Sequence, residues 1–274
     1  MKNPLKRYLK DYQKYMSRLI SNKQSRFLRP LYLRYELFLK RHGNTYYSGF
    51  GEDIVLKKIF HRKGNGVYVD VGCWHPKWGS NTYLLHKKGW EGLNIDMDDF
   101  KIAMFNIARK NATNICTAVS DKEQDVMYYC STNDSSLNTL EENFADAMAQ
   151  NKPKLKYDLK QIHSKPLDKI LAETSFAEKE IDLLTIDVEG HELPVLQSLN
   201  FEKYKPKVVV VELHEEKIES ILDHVIYQFI QSKNYSLFSW VLPSLIFVRD
   251  GYLTESVVVP FPQATTPMTP TKPH

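Results

Sequence analysis

The ten residues VYVDVGCWHP, at positions 67–76, pass from an apolar, β-branched stretch into an acid, a glycine and two aromatic residues before a proline. Such a run predicts a buried strand that is followed by a tight turn. In an open α/β sheet, ligands bind beyond the carboxyl ends of the strands, and the loop of the first strand approaches the ligand most closely. Asp70 and Gly72 lie at that place. The glycine permits the turn, and the carboxylate can accept hydrogen bonds from an ammonium or hydroxyl group.

Around this stretch, short apolar runs alternate with segments of helical spacing. The further strand-like runs are 93–95, 115–119, 183–188 and 208–213, and the helical segments are 52–60, 80–89, 99–110, 190–198 and 216–232. Apolar strands that are separated by helices are typical of a parallel sheet covered on both faces. Residues 235–240 and 245–248 flank a Pro-Ser turn and predict a final antiparallel hairpin. We therefore expect a Rossmann-like α/β fold with a mostly parallel, seven-stranded sheet.

The predicted domain spans residues 44–258, and both ends of the chain differ from it in composition. Residues 1–43 have the spacing of amphipathic helices, and the first 42 of them contain twelve Lys and Arg against two acids. We expect a basic helical arm that docks on the body, associates with a second copy, or contacts a membrane surface peripherally. No nucleic-acid motif accompanies it, so no nucleic-acid partner is expected. Residues 259–274 are rich in Pro and Thr and predict a disordered tail.

Residues 131–166 interrupt the alternation of strands and helices. This interval is polar, contains two prolines and is too long for an ordinary connection, so it predicts a lid or a substrate-facing insertion. The three cysteines, Cys73, Cys116 and Cys130, lie in or just after apolar runs and lack metal-site spacing, so we expect buried thiols. The chain has 274 residues and no apolar window of about 18 residues, which favours a cytoplasmic protein, peripheral to a membrane if the arm binds one.

A second acid follows the next predicted strand. Asp96 ends the segment GLNID at 92–96, where an acidic side chain can accept hydrogen bonds from both ribose hydroxyl groups. The turn after Asp70 contains neither of the two glycine-rich phosphate-binding fingerprints. S-adenosylmethionine (SAM) carries a ribose and an amino-acid end but no phosphate. The two acids without a phosphate site therefore favour SAM as the ligand.

In order and spacing, these segments resemble the FkbM family of SAM-dependent methyltransferases. The resemblance covers roughly residues 46–250. It rests on YYSGFGEDIVL at 46–56, GVYVDVGCWHPKWGSNTYLLHKKGWEGLNID at 66–96, AVSD at 118–121 and IDLLTIDVEGHELPVLQSLNFEKYKPKVVVVE at 181–212. It implies a class I methyltransferase fold, SAM as the cofactor and methyl transfer as the activity.

The resemblance also implies a cofactor site along the strand ends. Ser80, Asn81 and Thr82 match a segment that opens a helix, where free backbone N–H groups could receive the methionine carboxylate. Ser120 and Asp121 match a segment expected beside adenine. The complete set of predicted cofactor contacts is Asp70, Gly72, Cys73, Ser80, Asn81, Thr82, Asp96, Ser120, Asp121 and Asp187.

The hallmark segment DVEGHE at 187–192 predicts the catalytic groups near the methyl group. His191 is the first candidate for the general base, with Asp187 or Glu189 orienting substrate or cofactor. The alternative is that His191 caps or packs the following helix. His75, in the loop after the first strand, is a second candidate base, and its alternative role is to shape a turn.

A divalent metal is the rival for the same groups. Asp187, Glu189, Glu212 and His214 follow neighbouring strands and could supply oxygen and imidazole ligands. For the activity, we expect O-methylation of a hydroxyl group on a carbohydrate or glycan-type acceptor. The alternatives are N-methylation of a peptide or small amine, and a non-catalytic SAM-fold module that binds a partner.

Overall fold

The computed structural model describes residues 45–132, 135–215 and 217–253. The predicted arm at 1–43 and the predicted tail at 259–274 lie outside these residues. Within the described ranges, no helix has both the length and the apolar character that crossing a membrane requires.

Helices and strands alternate along most of the described chain. In order they are α1 (Glu52–Ile59), β1 (Val67–Val71), α2 (Tyr83–His86), β2 (Glu91–Asp96), α3 (Asp99–Ala108), β3 (Thr113–Cys116), β4 (Ala118–Val119), β5 (Gln124–Cys130), α4 (Glu142–Asn151), β6 (Asp158–Lys165), α5 (Leu167–Ala172), β7 (Leu183–Ile186), α6 (Glu192–Gln197), α7 (Phe201–Tyr204), β8 (Val208–Glu212), α8 (Ile218–Asp223), α9 (Val225–Ser232), β9 (Tyr235–Val241) and β10 (Ser244–Arg249).

Seven strands form the main sheet, in the order β3-β2-β1-β7-β8-β10-β9. Only β10 runs antiparallel to its neighbours β8 and β9, while the other pairs are parallel. The mostly parallel seven-stranded sheet with its final hairpin is therefore confirmed. The strand order reverses between β1 and β7, so their carboxyl ends open the crevice in which sheets of this kind bind ligands.

The inner strands are apolar along their whole length because both faces of the sheet are covered. Every residue of LLTI in β7 is buried, and so is every residue of VVVVE in β8 except its last. Apolar side chains of α5, α6 and α9 pack on one face of the sheet. Those of α1 and α2 pack on the other face. This two-sided core explains the continuous apolar runs from which the sheet was predicted.

A second, three-stranded sheet has the order β4-β6-β5. It divides the predicted strand 115–119 into β3, which belongs to the main sheet, and β4, which does not. Between them, the Thr117 hydroxyl donates to the carbonyl oxygen of His163 in β6 (2.8 Å). At the end of β4, the Ser120 N–H donates to the carbonyl oxygen of Lys165 (3.2 Å). The predicted insertion at 131–166 thus contains α4 and β6 and is anchored to the body as part of a sheet.

Two helix predictions differ from the structure. The predicted helix 216–232 is two helices, α8 and α9, because the chain turns at His224. The Nδ1 atom of His224 accepts the N–H of Ile226 (3.2 Å) and so caps the start of α9. The predicted helix 80–89 contains only the short α2, since the residues before it are drawn into the side-chain interactions described below.

Candidate functional site

A cleft opens at the carboxyl ends of β1, β2 and β7, where the strand order reverses. It holds about 580 Å³ of empty space, part of it open to solvent. The predicted site residues that line it are Gly72, Asp96, Asp187, Glu189 and His191.

Gly72 forms the tight turn that closes the floor of the cleft. Its backbone is left-handed (φ 78°), and its N–H donates to the carbonyl oxygen of Ile95 (2.9 Å). A Cβ atom at this position would lie 1.7 Å from the carbonyl oxygen of Asp187. Both the conformation and the lack of space therefore require glycine here.

Asp70 lies beneath the floor of the cleft and is not on its wall. The Thr82 hydroxyl donates to its Oδ2 atom (2.5 Å). Burial raises the pKa of Asp70, and the positive charge of Arg109 opposes that rise. Asp70 is thus held by a buried network, which connects it to the loop between β1 and α2.

Arg109 is the centre of that network, although no pattern in the sequence indicates it. Its side chain is 1% exposed. The guanidinium donates to the Pro76 carbonyl oxygen through Nε (3.0 Å) and Nη2 (2.8 Å). Its other acceptors, at 2.8–3.1 Å, are the side-chain oxygens of Tyr68, Ser80, Thr82 and Asn94. A single buried cation therefore connects β1, β2 and the loop that carries the aromatic residues.

The SNT segment, Ser80, Asn81 and Thr82, takes part in this network through the hydroxyl groups of Ser80 and Thr82. The Ser80 N–H donates to the carbonyl oxygen of Tyr47 (3.1 Å), and the Asn81 amide donates to the Thr185 hydroxyl (3.2 Å). Thr82 is the residue before α2, a helix of four residues. None of the three SNT residues lines the cleft. Their contact with a methionine carboxylate stays a prediction.

Asp96 faces the cleft at the end of β2. Its Oδ1 atom accepts the N–H of Asp98 (2.9 Å), and its Oδ2 atom accepts the N–H of Trp74 (3.2 Å). The ammonium group of Lys101 lies 3.4 Å from Oδ2, and both side chains are almost fully buried. Lys101 therefore balances the charge of Asp96, while the carboxylate retains lone pairs that can accept further hydrogen bonds.

Cys73 follows Gly72 but turns away from the cleft. Its side chain packs with Ile102 and Phe105, and burial raises the pKa of its thiol well above the usual range. Cys130 is also buried, but Cys116 is exposed, so the expectation of a buried thiol was wrong for Cys116. Cys116 ends β3, the edge strand of the main sheet, which leaves its side chain open to solvent.

His75 and Trp74 occupy the loop after β1. The Nδ1 atom of His75 accepts the N–H groups of Lys77 (3.1 Å) and Trp78 (3.0 Å) and so shapes a turn. Burial, together with the charge of Lys77, lowers the pKa of His75. His75 does not line the cleft, whereas Trp74 does. Trp78 is 63% exposed.

The DVEGHE turn is held by its own last residue. The Oε1 atom of Glu192 accepts the N–H groups of Val188 (3.2 Å) and Gly190 (3.1 Å). Burial raises the pKa of Glu192 to about 7. Glu189 has a left-handed backbone (φ 54°), which is uncommon for a residue with a side chain and points to a constrained turn.

Four ionisable groups meet beside this turn. Asp187 is open to the cleft, and its carboxyl group lies within hydrogen-bonding reach of that of Glu212. Desolvation raises the pKa of Asp187 well above its usual range, and the neighbouring acids Glu212 and Glu189 raise it further. The Nε2 atom of His214 lies 3.3 Å from Glu212 and 3.6 Å from Glu189. The Glu189 carboxylate raises the pKa of His214.

These four groups are the alternative metal ligands. Across the described ranges, no three His, Cys, Asp or Glu side chains are arranged to hold a metal ion. Glu212 instead pairs with both Asp187 and His214. The divalent metal remains an untested prediction.

His191 bridges the insertion and the body. Its Nδ1 atom lies 2.5 Å from the Oε1 atom of Glu141, which precedes α4. Its Nε2 atom lies 2.9 Å from the Ser120 hydroxyl. Ser120 in turn donates to Asp121 (3.2 Å). Glu141 is fifty residues away in sequence, so no local motif indicated this contact.

Comparisons with solved structures find distant similarities. A TehB-like SAM-dependent methyltransferase from Corynebacterium glutamicum aligns with 80% of this chain and 97% of its own, at 14% identity and a TM-score of 0.38. Monomeric WbdD aligns with 75% of this chain at 15% identity and a TM-score of 0.38. The alignment spans 42% of the WbdD chain, which is less than half of its length. No curated protein matches the sequence.

The comparison with protein families gives a match over most of the domain. The model described as the methyltransferase FkbM domain matches residues 60–237. This range begins before β1 and ends within β9, so it includes the strand ends that form the cleft. The chain therefore belongs to the FkbM methyltransferase family.

Proposed function

We propose that this protein transfers the methyl group of SAM to a hydroxyl group of a carbohydrate-type acceptor. The family gives the methyl transfer, and the methyltransferase fold implies SAM as the donor. The observation that supports a hydroxyl acceptor is Asp187, a carboxyl group with a raised pKa that is open to the cleft. When bound, SAM supplies an electrophilic methyl group on a positively charged sulfur.

The residues present fit this cofactor. Gly72 lines the cleft without a side chain, so a ligand can approach the backbone closely. Asp96 can accept hydrogen bonds from ribose hydroxyl groups. The acids of the cleft wall outnumber its one lysine, which favours a cationic ligand without phosphate and disfavours a nucleotide. Lys101 is the lysine concerned, and Asp96 already balances its charge.

Asp187 is the best-placed general base. A base must reach the proton that it removes, and its pKa should lie near the working pH. Asp187 is open to the cleft, and its pKa is raised toward the working pH. His191, the first candidate from sequence, has both ring nitrogens engaged by protein side chains. We therefore assign the base to Asp187 and an orienting role to His191.

Glu212 and His214 connect Asp187 to solvent through a chain of neighbouring ionisable groups. Glu212 shares a hydrogen bond with Asp187 and lies 3.3 Å from the His214 ring, which is 56% exposed. A proton that Asp187 takes from the acceptor can thus leave the cleft through neighbouring groups. Trp74 also lines the cleft and provides an aromatic surface. Together with Glu189 it suits an acceptor that has both apolar faces and hydroxyl groups.

The first test is binding of S-adenosylhomocysteine (SAH), measured by calorimetry. We expect Asp96→Ala to weaken binding by about tenfold or more, roughly 1.4 kcal/mol. Asp125→Ala, which removes an exposed acid on β5, is the control and should bind as the wild type does. If the folded wild-type protein binds neither SAM nor SAH, the proposed function is wrong.

The second test is methyl transfer to a panel of sugars and amines. We expect transfer to sugar hydroxyl groups, with loss of activity in Asp187→Asn. An Asp187→Asn variant that still methylates amines at the wild-type rate would contradict the hydroxyl assignment and support N-methylation. Protein that binds SAH but methylates no acceptor of either class would support a non-catalytic module.

A further inference from the structure

A short part of the insertion, residues 135–141, contacts both sides of the cleft. Ser136, Asn138 and Leu140 line the cleft together with the strand ends of the main sheet. The backbone of Thr139 exchanges two hydrogen bonds with Tyr129 of β5 (2.8 and 3.1 Å), which attaches the segment to the second sheet. The segment is therefore a fixed part of the wall, and its contacts can position the groups that it reaches.

Asn138 makes the contact on the cofactor side. It is 3% exposed, and its amide nitrogen donates to the Oδ2 atom of Asp98 (3.3 Å) and to the carbonyl oxygen of Thr132 (2.8 Å). Its amide oxygen accepts the N–H of Ser131 (3.0 Å). The N–H of Asp98 donates to Asp96 (2.9 Å), so Asn138 reaches the predicted ribose acid through one intervening residue.

Thr139 and Glu141 make the contacts on the acceptor side. The Thr139 hydroxyl donates to the carbonyl oxygen of Glu189 (2.8 Å). Glu189 has a left-handed backbone, and such a conformation persists only where surrounding contacts hold it. Thr139 also accepts the N–H of Glu141 (2.9 Å), and Glu141 lies 2.5 Å from the His191 ring. The two residues thus fix the turn that follows Asp187.

We infer that Asn138 and Thr139 are positioning residues that hold the cofactor side and the acceptor side of the cleft in one geometry. Asn138 positions Asp96 through Asp98, and Thr139 positions the turn at Glu189. The acceptor half of this inference rests on the methyl transfer proposed above. Ser136 and Leu140, which flank these anchors and line the cleft, contribute to the selection of the acceptor.

Two variants separate the two sides. Asn138→Ala should weaken SAH binding by about three- to tenfold, the effect of one or two lost hydrogen bonds, as measured by calorimetry. Thr139→Val removes only the hydroxyl, so it should lower kcat by about tenfold or more, because a small misplacement of reacting groups is costly. It should leave SAH affinity and the KM for SAM within about twofold of wild type. Thr174→Val is the matched control, because the Thr174 hydroxyl likewise donates to a carbonyl oxygen (Leu171, 2.9 Å) and accepts an N–H (Phe176, 3.3 Å), and Thr174 does not line the cleft.

Hydrogen exchange gives a readout that needs no ligand. Thr139→Val should speed exchange of the amides of residues 187–193, and Asn138→Ala should speed exchange of residues 96–101, because each loses its anchor. Exchange in both segments at the wild-type rate would overturn the inference, even if the protein proves not to be a methyltransferase. Equal effects of Thr174→Val and the two anchor variants on these segments would overturn it as well. If the wild type binds no SAH, the proposed function fails, and exchange alone decides the positioning role.

Discussion

The carbonyl oxygen of Asp187 lies 1.7 Å from the point that a Cβ atom on Gly72 would occupy. These two residues follow the strands between which the sheet order reverses. The N–H of Asp187 also donates to the carbonyl oxygen of Val71 (3.0 Å), so the two strand ends are joined through their backbones. The position of the proposed base is therefore set by the same turn that lines the cleft.

Gly72→Ala should disrupt the cleft. The left-handed conformation alone costs an alanine roughly 1–2 kcal/mol, and relief of the clash requires Asp187 to move. We expect a lower free energy of unfolding and SAH binding weakened by about tenfold or more. Gly89→Ala is the matched control, because Gly89 has the same backbone conformation (φ 87°) with no atom within 4 Å of its Cβ position. Equal SAH affinities of the two variants would contradict this account.

The rate of methyl transfer should depend on the ionisation of Asp187. A base is active only when ionised, so kcat/KM should fall as the pH drops through the raised pKa of Asp187, closer to neutrality than for an ordinary aspartate. In Glu212→Gln the neighbouring negative charge is gone, the pKa of Asp187 falls, and the acidic limb of the profile should move to lower pH. If the acidic limb of the kcat/KM profile lies at the same pH in Glu212→Gln as in the wild type, Asp187 is not the group that causes it.

Glu192 should make the folded protein less stable as the pH rises. Its pKa is raised from 4.5 to about 7, so the folded state holds a proton that the unfolded state has lost between these values. The stabilisation is complete below about pH 4.5 and is lost as the pH rises through 7. Glu192→Gln keeps an oxygen for the two backbone N–H groups and should therefore gain up to about 3 kcal/mol relative to wild type at pH 8.

Denaturant unfolding of wild type and Glu192→Gln at a series of pH values measures this gain. The difference should be near zero at pH 4.5 and should grow toward pH 8. Glu202→Gln, an exposed acid in the first turn of α7, controls for a change of surface charge. A stability difference that does not change with pH would show that Glu192 is not the group concerned.

Arg109→Met should lower the free energy of unfolding more than the substitution of any exposed side chain. Loss of the buried cation leaves Asp70 without its compensating charge and several oxygens without a donor. Removal of one partner from a buried ion pair typically costs about 3–5 kcal/mol. Lys110→Met removes the adjacent exposed cation and should change stability by less than about 0.5 kcal/mol. Similar unfolding free energies for the two variants would show that the guanidinium does not hold the network.

The main sheet could be predicted because its physical cause is local in sequence. Strands such as 67–71 and 208–212 are buried on both faces. Because both faces must be apolar, each strand is visible in the sequence as a continuous apolar run. The turn at Gly72 and the acid at 96 follow from the same rule, since ligands bind at the carboxyl ends of such strands. These residues do line the cleft of the structure.

The second sheet and the side-chain network left no comparable pattern. In DLKQIHSK of β6 only Ser164 is fully buried, so the strand lacks an apolar signature. Arginine is usually a surface residue, and the partners of Arg109 come from several distant segments. Glu141 reaches His191 across fifty residues. Such contacts depend on the completed fold, and no periodicity of a single sequence records them.

The hydrogen bond between Ser120 and Lys165 has a consequence for engineering. The chain leaves the body at Ser120 and returns to it at Lys165, and these two residues are hydrogen-bonded neighbours. The residues between them therefore form a segment whose two ends lie side by side. If this segment is replaced by one of another length, the entropy cost of closing the loop changes little, because it depends only weakly on the number of residues. The rest of the backbone keeps its geometry. A transplant of residues 121–164 between relatives therefore keeps the two backbone junctions intact, and it needs matched partners for the contacts of Asn138 with Asp98 and of Thr139 with Glu189.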